Sequence, residues 1–238
     1  MDEAPCYKRV LLKLSGESFK GDQESGIAED NVTSMAEQIK KIHDAGVQLA
    51  IVVGGGNFFR GVRSNNFGID RTSADYMGML ATVINGIAFR DVLENQGLRA
   101  QLVSALEIKA VAELYDQKKV LRYLEKGRIV VFVAGTGSPY FTTDTGAALR
   151  AVQIKADIFL KATMVDGVYS DDPKKVATAL KFHRISYREV LEKELKVLDS
   201  TAVAFCMENN LPIKIFDVTQ PGNIINAITD EHIGTTIY

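Results

Sequence analysis

The chain has 238 residues, 46% of them hydrophobic and 24% charged, an ordinary globular composition that excludes disordered and fibrous classes. A formal net charge of -2 without a long basic block argues against a nucleic-acid groove, and no apolar run approaches the roughly 20 residues of a membrane-spanning helix. Two isolated cysteines (Cys6 and Cys206) and three scattered histidines (His43, His183 and His232) suggest neither a disulfide framework nor a metal cage. The acidic segment 1–5 lacks the apolar core of a signal peptide, so a cytoplasmic location with reduced thiols is expected.

Residues 9–15 are apolar at both parities, as in a strand buried on both faces. Lys13 sits near the end of that run. Burying an unpaired ammonium costs several kcal/mol, so Lys13 either snorkels at the sheet end or aims its charge at an anionic ligand. Gly21, Asp22, Gln23, Glu24, Ser25 and Gly26 read as a loop. Asp30 is expected to cap a helix whose apolar residues Val32, Met35, Ala36, Ile39 and Ile42 recur at helical spacing until Gly46 stops it.

A second buried strand, 49–53, completes a strand–helix–strand unit, by default a right-handed parallel crossover. It runs into Gly54, Gly55 and Gly56, at the carboxyl end where an open α/β sheet holds its ligand. Residues without Cβ let another group approach the peptide plane, and Arg60 follows with a donor fork suited to phosphate. A tight turn from strand to helix is the alternative use of such glycines.

The spacing predicts a long helix over 72–96, with Asp75 in its first turn near the expected crevice. Met77, Leu80, Ala81, Ile84 and Ala88 form one apolar stripe, and Met79, Val83 and Ile87 another. So wide an arc exceeds what one sheet covers, and half of this helix is expected to face another subunit. A short strand over 100–104 and a helix over 116–125 lead to a central strand, 128–134. Its end breaks into Gly135, Thr136, Gly137, Ser138, Pro139, Tyr140, Phe141, Thr142, Thr143 and Asp144, a segment rich in hydroxyl and backbone donors. A helix beginning near Thr143 turns its positive end back towards them.

Strand 157–163 carries Lys161 near its end, as the first carries Lys13, and the turn-rich segment 165–173 holds Tyr169 and acidic residues. Helices over 187–194 and 200–209, a strand over 212–217, a short helix after Gly222 and a closing strand complete one continuous α/β unit. Lysines, an arginine, glycines and hydroxyls at four strand ends suit phosphoryl transfer, in which a protein positions reactants and neutralises charge. The common fingerprints are absent: Asp22 follows Gly16 and Gly21 where a phosphate loop needs Lys, and Phe59 breaks the dinucleotide pattern. The residues alone lead to an α/β phosphate binder, expected to be a phosphotransferase.

Several segments resemble the bacterial uridylate kinases, a branch of the amino acid kinase fold family: 13–17, 53–61, 77–82, 134–144, 160–163, 165–168 and 190–199. The resemblance runs from about Tyr7 to the end, and 137–144 is the part most specific to the uridylate branch. It implies an α/β three-layer sandwich with a central, mostly parallel sheet. It implies a single domain over 1–238, with the acceptor side mainly in 1–160 and the ATP side mainly in 161–238. The implied reaction moves the γ-phosphoryl of MgATP to UMP, giving UDP in pyrimidine nucleotide biosynthesis.

By the same resemblance, Lys13, Leu14, Ser15, Gly16, Gly56, Arg60, Thr163, Tyr169 and Asp172 would contact ATP. Gly55, Asp75, Thr136, Gly137, Ser138, Pro139, Tyr140, Phe141, Thr142 and Thr143 would hold UMP. Lys13 and Lys161 would flank the transferring group, with Arg60 in the catalytic set and Asp144 orienting the lysines or helping to hold Mg2+. No general base is needed, because an acceptor phosphate with a second pKa of about 6 is largely dianionic at neutral pH. Ser138 stands where Asn is expected, and Met164 where a second lysine is common. The resemblance further implies a homohexamer activated by GTP through the loop Gly21, Asp22, Gln23, Glu24, Ser25 and Gly26, and inhibited by UTP. Two alternatives stay open: a relative acting on a carboxylate or carbamate, and a non-catalytic nucleotide-binding regulator.

Overall fold

The computed structural model describes residues 5–59, 68–171, 173, 175–176 and 178–238, so the expected contacts Arg60 and Asp172 lie outside the described residues. The first half of the chain forms β1 (Arg9–Leu14), α1 (Gly16–Lys20), α2 (Glu29–Asp44), β2 (Gln48–Val53), α3 (Arg71–Asn95), β3 (Ala100–Ser104), β4 (Glu113–Leu114), α4 (Gln117–Glu125) and β5 (Ile129–Val133). The second half forms α5 (Thr143–Gln153), β6 (Ile158–Thr163), β7 (Val168–Tyr169), β8 (Lys181–Phe182), β9 (Arg184–Ile185), α6 (Tyr187–Glu192), α7 (Ser200–Glu208), β10 (Ile213–Asp217), α8 (Asn223–Thr229) and β11 (Thr235–Ile237).

Nine strands make one sheet in the order β4-β3-β5-β2-β1-β6-β10-β11-β9, parallel except where β11 runs against β10. β1 is the switch point. The chain builds β2, β3 and β5 to one side of it and later places β6 and β10 on the other, which opens a crevice at the carboxyl ends of these strands. Alternate residues of the strands feed two cores. Val10, Leu12 and Leu14 pack with α2, α3 and α8, while Leu11 and Phe159 pack with α4, α5 and α7. The result is the expected three-layer α/β sandwich with a mostly parallel central sheet.

The strand and helix pattern of the sequence holds with small shifts at the ends. The cap of α2 is a correction: Ala28, not Asp30, is the N-cap, and it makes no side-chain cap bond. Glu29 and Asp30 lie instead in the first turn, where their charges complement the helix's positive end. Residues 16–20, between the first strand and the loop from Gly21, fold into the short α1, and the Ser15 hydroxyl caps it by accepting the Ser18 N–H. Along α3, Met79, Val83, Phe89 and Leu93 are buried, and Phe89 meets Phe19 edge to face at 5.3 Å. Met77, Leu80 and Ile84 of the first stripe of the sequence pattern stand exposed on its outer side together with Tyr76, while Ala81 of that stripe is buried.

The ends of β1 and β2 touch backbone to backbone. The Gly54 N–H donates to Leu14 O at 2.9 Å, and a Cβ on Gly54 would sit 2.8 Å from the Gly16 nitrogen. A Cβ on Gly16 would fall on the Gly56 nitrogen and 2.6 Å from Asn57 Oδ1. Two glycine-bearing loops can share this space, and larger residues would push them apart.

Candidate active site

β1 and β6 are hydrogen-bonded neighbours in register, with Lys13 opposite Lys161. Side chains alternate along a strand, so both lysines share the face on which α5 packs. Asp144, in the first turn of α5, reaches between them. Its Oδ2 accepts from Lys161 Nζ at 2.5 Å, and its Oδ1 lies 3.0 Å from Lys13 Nζ as an ion pair without hydrogen-bond alignment. Lys161 Nζ also donates to Val197 O at 2.6 Å. The three side chains are close to nine-tenths buried, at 11% exposure for Lys13 and 13% for Asp144 and Lys161.

Burial alone would raise the pKa of Asp144. The neighbouring charges of Lys13 and Lys161 outweigh it and hold the carboxyl below its ordinary value. For Lys161 burial dominates: its pKa is lowered, with Asp144 opposing the shift and Lys13 adding to it. Two ammoniums against one carboxylate leave a surplus of positive charge in a poorly solvated place. Such a surplus is suited to an incoming anion.

A cavity of about 660 Å³ opens on one side, lined by Gly55, Gly56, Phe59, Ala74, Asp75, Gly78, Met79, Thr82, Gly135, Thr136, Phe141, Thr142 and Thr143. It gathers six of the expected acceptor contacts: Gly55, Asp75, Thr136, Phe141, Thr142 and Thr143. Gly137, Ser138, Pro139 and Tyr140 fall outside its lining, on the outer turn of the same loop. Gly56, expected on the ATP side, lines this cavity as well.

The hydroxyls in this region are largely committed to the fold. Thr142 caps α5 by accepting the N–H groups of Asp144 and Thr145, and its hydroxyl donates to Asp199 Oδ2. Thr136 exchanges hydrogen bonds with the Ser138 backbone at 3.1 Å in each direction. Thr82 accepts from the N–H of Ala134, a non-glycine residue held at φ 62° where β5 ends. Asp75 is similarly engaged: Arg71 Nε bridges both its oxygens at 3.0 and 2.9 Å, and Oδ2 accepts the Tyr140 N–H at 2.8 Å.

A second cavity, of about 560 Å³, lies beyond the cluster and is lined by Tyr169, Lys175, Lys193, Lys196 and Val197 among others. The Tyr169 hydroxyl donates to Asp166 Oδ1 at 2.8 Å, and Lys181 Nζ to Asp166 Oδ2 at 2.9 Å. Thr163, expected to contact ATP, spends its hydroxyl on Val165 O at 2.7 Å. Neighbours of the charged cluster line both cavities: Thr142 and Thr143, just before Asp144, line the first, and Val197, bonded to Lys161, lines the second.

Asp199 is the residue that pattern reading missed. It accepts from the Thr142 and Thr145 hydroxyls and from Ala202 N–H, tying the start of α5 to the start of α7. Its signal in the sequence is a helix-capping Asp directly before the helix at Ser200, which reveals the cap and not the tie. As for metal, no group of three or more His, Cys, Asp or Glu is placed to hold an ion among the described residues. Asp144 lies between two ammoniums, a poor setting for a dication.

The amino acid kinase family model matches residues 8–217. Among solved structures, the chain is similar to a UMP kinase from Bacillus anthracis at 35% identity, with a TM-score of 0.94 and coverage of 97% of this chain and 96% of that one. A UMP kinase from Ureaplasma parvum is 36% identical, with a TM-score of 0.93 over 97% and 98% of the two chains. A uridylate kinase from Archaeoglobus fulgidus is 28% identical, with a TM-score of 0.72 over 96% and 99%. No helix among the described residues is long and apolar enough to cross a membrane.

Replacing Asp144 by Asn leaves two buried ammoniums unpaired and should cost about 3–5 kcal/mol in chemical denaturation at neutral pH. Because the folded pKa of Asp144 lies below the ordinary 3.8, its contribution is complete above that value and is lost as pH falls through the folded pKa. The stabilities of wild type and Asp144→Asn should therefore converge in strong acid, and a gap independent of pH would contradict the ion-pair account.

Proposed function

The chain belongs to the amino acid kinase family, and from this premise and the site's geometry we infer that it transfers the γ-phosphoryl group of ATP to UMP, giving UDP and ADP. The observation that carries this reading is the Lys13–Asp144–Lys161 cluster, whose neighbours Thr142 and Thr143 line one cavity of about 660 Å³ and whose partner Val197 lines another of about 560 Å³. UMP occupies the first cavity, against Gly55, Asp75 and the loop from Thr136 to Thr143. ATP occupies the second, with Tyr169 at its wall and its phosphates directed past Lys13, Leu14, Ser15 and Gly16. A carboxylate- or carbamate-sized acceptor would leave most of about 660 Å³ empty, which disfavours those substrates.

Phosphoryl transfer needs in-line placement and stabilisation of charge on the moving group. Lys13 and Lys161, fixed side by side by strand register, present two ammoniums to that group from one face. Asp144 directs them and opposes the loss of Lys161's proton that burial promotes. The UMP phosphate attacks as a dianion, so no side chain has to remove a proton. Magnesium bound to the ATP phosphates would neutralise part of their charge, leaving Lys13 and Lys161 to meet the charge on the moving group.

A homohexamer in the cytoplasm belongs to the same reading, with GTP as activator and UTP as inhibitor. The exposed stripe Tyr76, Met77, Leu80 and Ile84 supports an assembly, since a closed oligomer would bury it. The loop from Gly21 to Gly26 is the activator segment in this reading. It has no Lys or Arg of its own, so a triphosphate there would need donors from elsewhere.

In a coupled assay of ADP formation, UMP should be the acceptor, with CMP and dUMP poor and glutamate, aspartate and carbamate inert. Phosphorylation of glutamate or carbamate with UMP untouched would defeat the assignment. Lys161→Ala should lower kcat by roughly 10² or more, the usual cost of one preorganised donor, while calorimetric UMP affinity survives. Loss of UMP binding with little change in kcat would make Lys161 a binding residue. In wild type, kcat should fall on the alkaline side at a pH below the ordinary lysine value of 10.5, because burial lowers the Lys161 pKa. Light scattering should give a hexamer, and initial rates should rise with GTP; a monomer would remove the assembly, and an unresponsive hexamer would remove only the activation.

A further inference from the structure

In the middle of α3, surrounded by apolar neighbours, Asn85 is completely buried, and Asn57 at the end of the glycine loop is nearly so. Their side-chain amides face each other and exchange two hydrogen bonds. Asn57 Nδ2 donates to Asn85 Oδ1 at 2.9 Å, and Asn85 Nδ2 donates to Asn57 Oδ1 at 2.7 Å. Each amide spends its second hydrogen on a backbone carbonyl: Asn85 on Gly54 O at 2.7 Å, and Asn57 on Gly26 O at 2.8 Å. The Gly26 N–H returns a bond to Asn57 O at 3.3 Å. Flipping either amide would set like groups against each other, so the network admits one orientation of the pair.

An apolar pair would fill the same volume at lower desolvation cost, and a pair that only filled space would not need four mutually dependent hydrogen bonds. What these bonds join is three separate segments: the glycine loop, the centre of α3 and the loop from Gly21 to Gly26. The glycine loop is also where the two strand ends meet, since a Cβ on Gly16 would reach within 2.6 Å of Asn57 Oδ1. Gly55 and Gly56, held between Gly54 and Asn57, line the first cavity.

We propose that Asn85 and Asn57 are positioning residues for the phosphoryl transfer inferred above. Their amide pair fixes the backbone of residues 54–56 against the end of β1 and couples the loop 21–26 to it through Gly26. This role rests on the UMP kinase reading for its catalytic part alone, because the coupling between the loops is a property of the free protein.

The test uses Asn85→Leu, which keeps most of the volume and removes both donors, and Asn57→Ala, which removes the bond to Gly26 O. Both variants are compared with wild type well below their unfolding temperatures. Amide hydrogen exchange should speed up in both 21–26 and 54–58, while β5 and the centre of α5 keep their protection. The kcat with UMP should fall by roughly tenfold to a hundredfold, as misplacing a reacting group by a fraction of an ångström to an ångström does. Folded variants with kcat and KM within twofold of wild type would reduce the pair to a core feature. Unchanged exchange at 21–26 in Asn57→Ala would overturn the coupling, and that variant carries both readouts if Asn85→Leu does not fold. A wild type inert towards UMP would overturn the catalytic part of the proposal together with the UMP kinase reading, while the exchange data would still decide the coupling.

Discussion

A carboxylate shared by two buried ammoniums is the constraint on which the rest of the site depends. The charges of Lys13 and Lys161 keep Asp144 ionised despite its burial, and Asp144 in turn opposes the loss of the Lys161 proton that burial promotes. Three features of the fold must agree to make the cluster. The register of β1 and β6 must set the lysines opposite each other, the parity of both strands must turn them to the α5 face, and α5 must begin where Asp144 falls in its first turn. The loop before α5 meets the last condition through left-handed backbone at Ala134, Gly135, Gly137 and Tyr140.

The hydroxyl-rich loop then takes on a meaning different from its composition. Thr136, Thr142 and Thr163 use their hydroxyls to shape turns and caps, and Asp199 receives Thr142 and Thr145 from across the site. Such internal bonds make the loop rigid before any ligand arrives, and rigidity is what positions a reacting phosphate. Asp75 follows the same logic, being held by Arg71 and the Tyr140 N–H at the mouth of the first cavity. The direction of this carboxylate is thus set before any ligand arrives.

α3 connects these parts. Its first turn carries Asp75, its buried centre carries Asn85, and its outer side leaves Tyr76, Met77, Leu80 and Ile84 uncovered. One helix thus touches the first cavity, the glycine loop and an exposed apolar surface. A rigid element with these three contacts would transmit a shift at any one of them to the others, given two discrete packings of the helix.

Much of the fold was legible because its signals are local. Apolar runs of both parities mark β1, β2, β5 and β6 as central strands, helical periodicity marks α2 and α3, and glycines mark where elements stop. The strand-end lysines were visible because charge inside an apolar run is costly enough to demand a reason. The small β4, β7, β8 and β9 and the five-residue α1 carried no periodic signal long enough to read, and the cap of α2 moved to Ala28 because the charges of Glu29 and Asp30 serve equally well inside the first turn. By itself, the sequence determined which residues are special: the lysines, the glycine run, Asp75 and the segment from Thr136 to Asp144. Only the tertiary structure decided which of them meet. That Lys13 faces Lys161, that Asp144 stands between them, that Asp199 gathers two threonines and that Asn57 pairs with Asn85 all depend on register and packing between residues from 17 to more than 100 positions apart. No local propensity encodes such distances, because they are fixed when two cores close on a shared sheet.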